Sequence, residues 1–204
     1  MNSSGLPIWL TDSASGDSVP AILVGEIGEQ QLFDWQHHWR PALEETLARL
    51  RASRVPRERW PQTAHWNWDA KMRQIEGLLA FRCFAVMAQG VTQGLMRVDL
   101  NHSARLTEQA AKPLVYVEYL EAAPWNRADL ATPRYRGVGT ALLTAAVDLS
   151  FQEEFLGRIG LHSLPQAESF YRDVCGMSDL GQDADYDRLR YFEMTSQQAA
   201  TFLE

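Results

Sequence analysis

The stretch RYRGVGTALL, residues 134–143, decides the fold. It sets Arg134, Gly137 and Gly139 in an R-x-x-G-x-G spacing, just after a β-like run and directly before an amphipathic segment. The N-terminus of a helix exposes unpaired N–H groups and the positive end of the helix dipole. Glycine lets a phosphate approach that backbone closely, and arginine adds charge and directed donors. The spacing therefore describes an anion cradle of the kind that takes a pyrophosphate. A glycine-rich helix start also serves as a plain tight turn, so the flanking sequence has to choose between the two.

Downstream, Leu142, Leu143, Ala146, Val147, Phe151 and Phe155 recur at three- and four-residue spacing, which marks one buried helix face, and Gly157 is a stop signal. RIGLHSL, 158–164, reads as a short strand. Ser163 and Gln166 have capping-box spacing around Pro165, and Ala167, Phe170, Tyr171 and Val174 give the next helix an apolar stripe ended by Gly176. Upstream, LVYVEYL at 114–120 reads as a strand.

This order of strand, turn, helix, strand and helix over residues 113–180 resembles the GNAT superfamily of N-acetyltransferases. RYRGVG matches that family's R/Q-x-x-G-x-G/A signature. FYRDVCGM, 170–177, is similar to its FY…GF segment with Met177 in place of Phe, and 114–120 stands where its central strand belongs. The resemblance implies an α+β protein with a mixed, mostly antiparallel central sheet flanked by helices on both faces. It implies acetyl-CoA or another acyl-CoA as co-substrate, no metal, and direct attack by a primary amine in a ternary complex. A monomer or homodimer fits it. Carried onto this chain, the backbone of Arg136, Gly137, Val138, Gly139 and Thr140 meets the pyrophosphate, with Arg134 or Arg136 supplying charge. Leu120, Glu121 and Ala122 border the pantetheine arm through backbone hydrogen bonds. Tyr171 directs its hydroxyl towards the CoA sulfur as the acid, although it also belongs to the apolar stripe. One departure is the segment EAAPWNRADLATP, 121–133, between the central strand and the glycine turn. It is either a tolerated surface insertion or a wall of the donor or acceptor site.

Amine acylation needs alignment of two substrates, stabilisation of an oxyanion, and groups that tune proton transfer. Glu118 and Glu121 are candidate bases; strand alternation puts them on opposite faces. A buried carboxylate with a raised pKa accepts a proton, whereas a structural ion pair does not. His162 has a suitable unperturbed pKa, yet a lone histidine also serves structure. Trp66, Trp68 and Asp69 in HWNWDAK, 65–71, are acceptor-site candidates. The aromatic faces suit a cationic or apolar group and Asp69 an amine. Tyr116 and Trp125 carry the same double reading of core or acceptor site.

The 204 residues suit one full core, with residues 1–18 read as a flexible leader and 19–204 as a single acyltransferase domain. A net charge of −7 argues against a nucleic-acid partner. No run approaches a membrane span, and the start lacks a signal-peptide pattern. Cys83 and Cys175 both sit in apolar patterns, as buried thiols do in a reducing cytoplasm. The front half reads as a strand at 21–27, a helical region from Leu32 to Leu50 interrupted near Pro41, a helix over 67–79, and a strand pair at 82–90 and 92–101. Residues 188–194 read as a last strand, followed by a short helix. Two further functions compete: a GNAT-like CoA-binding sensor or interaction module without turnover, and a different phosphate-ligand enzyme. The absence of G-x-x-x-x-G-K-[ST] counts against a P-loop in the latter.

Overall fold

A computed structural model describes residues 5–130 and 132–204. Its strands are β1 (Leu6–Asp12), β2 (Ser18–Val24), β3 (Phe81–Ala88), β4 (Val91–Ser103), β5 (Pro113–Ala122), β6 (Tyr135–Arg136), β7 (Ile159–Ser163), β8 (Ser178–Gln182) and β9 (Arg190–Met194). Its α-helices are α1 (Glu29–Asp34), α2 (Arg40–Ala52), α3 (Trp68–Gln74), α4 (Val138–Gln152) and α5 (Ser196–Phe202). The strands are hydrogen-bonded in the order β6-β1-β2-β3-β4-β5-β7-β9-β8. The sheet is mostly antiparallel, but β5 and β7 run parallel, with Val115, Tyr116 and Val117 opposite Ile159, Gly160 and Leu161. A parallel pair needs a crossover, and α4 supplies it. Among the described residues no helix is long and apolar enough to cross a membrane.

The chain forms two compact units. One holds the residues up to Leu78 with Cys83–Leu95 and Glu121–Ala141; the other holds Leu79–Arg82, Met96–Leu120 and Leu142–Glu204. In the first, the helices are fixed to the start of β4 by one buried carboxylate. Asp34 accepts from the Thr92 backbone N–H (2.8 Å) and hydroxyl (2.7 Å), while the Trp39 indole donates to the Thr92 carbonyl (2.9 Å). Trp39 and Trp68 are almost wholly buried there. In the second unit Leu142, Leu143, Ile159, Leu161 and Phe192 lie in the core. Buried Glu193 on β9 accepts from the Arg105 and Leu106 amides, the Gln109 side chain and the Tyr191 hydroxyl, at 2.7, 3.0, 2.7 and 3.0 Å. Four donors satisfy the carboxylate that burial would otherwise make costly.

Several sequence expectations need correction. Leu6–Asp12, inside the expected leader 1–18, is a strand paired antiparallel with Ser18–Val24 in register from Leu6↔Leu23 to Thr11↔Ser18, and the strand expected at 21–27 runs over 18–24; residues 1–4 lie outside the described residues. The helical region before Leu50 contains a π-helical turn at Trp35–Trp39, with the Arg40 N–H reaching back to the Trp35 carbonyl. Pro41 has no N–H to continue the α ladder, so the register shifts just before it. The helix over 67–79 stops at Gln74. The Ser163 hydroxyl donates to the Leu164 carbonyl (2.9 Å), and Leu164 rather than Ser163 is the N-cap of the turn that follows. The segment beyond it is a 3₁₀ turn at Pro165–Ala167 and a π-helical turn at Phe170–Val174.

Candidate functional site

The glycine turn is built as an open cradle. Gly137 has φ +94°, in the left-handed region that favours glycine, and the Ala141 N–H closes the first bond of α4 on its carbonyl (2.8 Å). The amides of the first turn of α4 therefore have no acceptor within the helix. The turn is tied to the segment after β5 by the Arg134 N–H on the Trp125 carbonyl (2.8 Å) and the Tyr135 N–H on the Asn126 side chain (3.0 Å). β6 also pairs with Thr11 and Asp12 of β1. Arg136 and Gly137 are exposed. Arg134 turns aside: its guanidinium donates to the Gln89 side chain at 2.8 Å and lies over the Tyr135 ring.

Glu121 and the tryptophans come together. Asn67 caps α3 by accepting from the Ala70 N–H (2.9 Å), which places Trp68 at the first helical position, fully buried. The Trp68 indole donates to Glu121 Oε2 at 2.7 Å, and Arg127 stands 4.0 Å from Oε1. The Glu121 carboxyl is pushed above its usual range by burial, against the opposing pull of Thr63, Trp68, Arg127 and Lys71. It lines a cavity of about 100 Å³ walled by Trp35, Trp39, Leu43, Leu47 and Trp66, with Thr63 and Pro124. Lys71 Nζ lies 4.6 Å from the Trp66 ring centroid. Asp69 stands in the first turn of α3, where a carboxylate suits the helix dipole, and it does not line the cavity.

Glu118, Tyr116, His162 and Tyr171 belong to the second unit. Glu118 pairs with Arg97 through two contacts, Nε and Nη2 each 2.7 Å from Oε2, which is the ion-pair role. Tyr116 and His162 join one part-buried chain: the Tyr116 hydroxyl is 2.7 Å from His162 Nδ1, and His162 Nε2 is 2.9 Å from Asp183. A carboxylate only accepts, so Nε2 carries the proton and Nδ1 accepts from Tyr116. Arg105 also donates to Asp183, and with His162 holds that carboxyl down at about 2. Burial lowers the His162 pKa, and Tyr186 stacks on its ring at 3.9 Å. Both imidazole nitrogens are thus engaged. Tyr171 is buried, packed against Phe170 and Phe192 at 5.2 and 5.9 Å between ring centroids. Burial raises its phenol pKa, so the ring is neutral over any working pH. Burial likewise pushes the neighbouring Cys175 thiol up to about 12.

Trp35, Trp39, Thr63 and Pro124 were missed as cavity residues. Trp35 and Trp39 carry a helical period, which reads as core. Thr63 and Pro124 lie in irregular segments whose position only tertiary contacts fix. Among the described residues no group of three or more His, Cys, Asp or Glu side chains is placed to hold a metal ion.

Solved structures share this fold. The chain is similar to the PaiA N-acetyltransferase of Thermoplasma acidophilum in complex with coenzyme A, with 13% identity, TM-score 0.53, and coverage of 86% of this chain and 98% of that one. It is similar to Mycobacterium smegmatis RimJ in complex with CoA-disulfide, with 15% identity, TM-score 0.56, and coverage of 97% and 92%. A Bacillus halodurans protein gives 11% identity, TM-score 0.56, and coverage of 96% and 93%. No protein-family model and no curated protein matches the sequence. The mixed, mostly antiparallel sheet with flanking helices is the GNAT fold expected from residues 113–180.

Proposed function

We propose that this chain, which has the GNAT fold, is an N-acyltransferase that moves an acetyl or other acyl group from CoA to a primary amine. The observation that carries the reading is Glu121: a buried carboxyl of raised pKa lining an aromatic-walled cavity. That arrangement suits a base that receives a proton from an ammonium or from the attacking amine. The acceptor enters the cavity lined by Trp66, and Trp68 and Thr63 orient the Glu121 carboxyl. The amine nitrogen attacks the thioester carbonyl carbon, the C–S bond breaks, and the amine's proton passes to Glu121. Tyr171 gives its proton to the departing thiolate. The CoA pyrophosphate lies on the backbone of Arg136, Gly137, Val138, Gly139 and Thr140, with Arg134 or Arg136 adding charge. Leu120, Glu121 and Ala122 border the pantetheine arm through their backbone.

Gly137→Glu tests the donor half. Position 137 is in the left-handed region, and a carboxylate there repels phosphate. CoA affinity, measured by calorimetry on the folded variant, should fall by at least about 100-fold, which corresponds to ~2.7 kcal/mol. Unchanged affinity would remove the glycine turn from the donor site.

A further inference from the structure

The end of α2 and the turn after it carry RLRASRVPRER, residues 49–59, with five arginines and a single acid, Glu58, in a chain of net charge −7. Arg49, Arg51, Arg54, Arg57 and Arg59 are all exposed. Among the described residues none of the five has a carboxylate within ion-pair distance. Arg97, Arg105, Arg127, Arg172 and Arg190 each have one. The helix dipole accounts for Arg49 and Arg51, which stand in the last turn of α2. Arg54, Arg57 and Arg59 lie beyond the helix, where it does not reach. Like charges repel, so the group is left for solvent ions or an anionic partner to neutralise.

The turn is braced. The Ser53 N–H bonds the Arg49 carbonyl (2.9 Å), the Arg54 N–H the Arg51 carbonyl (3.1 Å) and the Val55 N–H the Leu50 carbonyl (3.0 Å). Beyond it the Trp60 N–H bonds the Arg57 carbonyl (3.0 Å), and the Trp60 indole donates back to the Val55 carbonyl (2.9 Å). The guanidinium carbons of Arg51 and Arg57 lie 5.8 and 5.7 Å from the Trp60 ring centroid. A guanidinium held on a ring keeps its N–H fork for an oxyanion and loses less freedom on binding one. Arg51 follows Leu47 by four residues, one turn (~6 Å) further along the same face of α2, and Leu47 walls the Glu121 cavity. Two features favour the carboxylates of a polypeptide over a nucleic acid. A long phosphate backbone would run from this short turn onto a chain that is acidic overall. The Trp60 ring, engaged by two guanidinium groups, is not an open platform for stacking bases.

We infer that the 49–59 turn docks an acidic stretch of polypeptide; resting on the acyl-transfer reading, that stretch belongs to the acceptor whose amine enters the Glu121 cavity. The probes are N-acetylated peptides of one lysine followed by a run of glutamates or of glutamines, and a short oligouridylate. Binding to the full chain is read by fluorescence anisotropy. The glutamate peptide should bind at least about tenfold more tightly than the glutamine peptide and weaken as salt is raised. Arg54→Gln with Arg59→Gln, and separately Arg51→Gln with Arg57→Gln, should each weaken it by about tenfold at an unchanged melting temperature. The first pair leaves the Trp60 contacts in place and so keeps the test alive if the second disturbs the turn. With acetyl-CoA, the KM of the glutamate peptide should lie about tenfold below that of the glutamine peptide. Arg54→Gln with Arg59→Gln should erase that difference without changing turnover of a small amine. Equal binding of the two peptides, indifference to both pairs of substitutions, displacement of the glutamate peptide by saturating CoA, or tighter binding of the oligouridylate would overturn the docking surface. Equal KM values for the two peptides would overturn its link to the acceptor. Selective binding with no amine acetylated would count against the acyl-transfer reading and leave the docking surface standing.

Discussion

Replacing Glu121 by glutamine should lower turnover by ~100- to 10,000-fold, the span that general acid–base assistance is worth. The amide keeps an acceptor oxygen for the Trp68 indole and the volume that the cavity wall needs, but it cannot take a proton. CoA affinity should be nearly unchanged, because the contact assigned to residue 121 on the donor side is through its backbone. The pH profile separates this from a packing defect. A carboxyl whose folded pKa is raised binds its proton more tightly when folded, so the stability that goes with protonation is present at low pH. That stability is lost as pH rises through the folded value. Above that value Glu121→Gln should therefore melt no lower than the wild type. The wild-type acid limb of turnover should lie above the ordinary carboxylate range and disappear in the variant. A variant that keeps both the rate and the limb would take the base role from Glu121.

Tyr171→Phe should have a comparable effect on turnover, ~100- to 10,000-fold, again with CoA affinity nearly intact. The substitution keeps the ring that packs on Phe170 and Phe192 and removes only the hydroxyl. Burial raises the phenol pKa, which keeps the hydroxyl protonated and also makes it a weaker acid than a free tyrosine. If Tyr171 is a packing residue alone, the phenylalanine variant will turn over like the wild type. Steady-state turnover and CoA binding on the same folded variant decide between these.

The part of the fold that sequence reads well is the part governed by local chemistry. Gly137 is needed at φ +94°, the α4 stripe is buried at Leu142, Leu143, Ala146 and Val147, and β7 is a short apolar run, as the sequence reads; the stripe does not extend to Phe151, which is exposed, or to Phe155, which lies beyond Gln152 at the end of α4. The segments that were misread depend on distant partners. β6 is a two-residue piece that becomes a strand by pairing with β1, Arg136 with Thr11 and Tyr135 with Asp12, and β1 is held along its length by β2. The helix expected after Ser163 begins instead as a 3₁₀ turn with Leu164 at its N-cap. At the candidate site, single residue types gave roles in pairs of alternatives, and contacts chose between them. Glu118 and Glu121 look alike in sequence, yet one meets the Arg97 guanidinium and the other a tryptophan indole in a buried cavity. Tyr116 and His162, proposed for different tasks, prove to be neighbours in one hydrogen-bonded chain with Asp183.

The most direct test of acyl transfer is incubation of the full chain with acetyl-CoA and a panel of small primary amines, amino acids and lysine peptides. Free thiol and acetylated amine are measured together by mass spectrometry. The account predicts that at least one amine is acetylated with one thiol released per product, and that Glu121→Gln suppresses both. CoA binding without any acetylated product across the panel would contradict it and leave a CoA-binding module without catalysis.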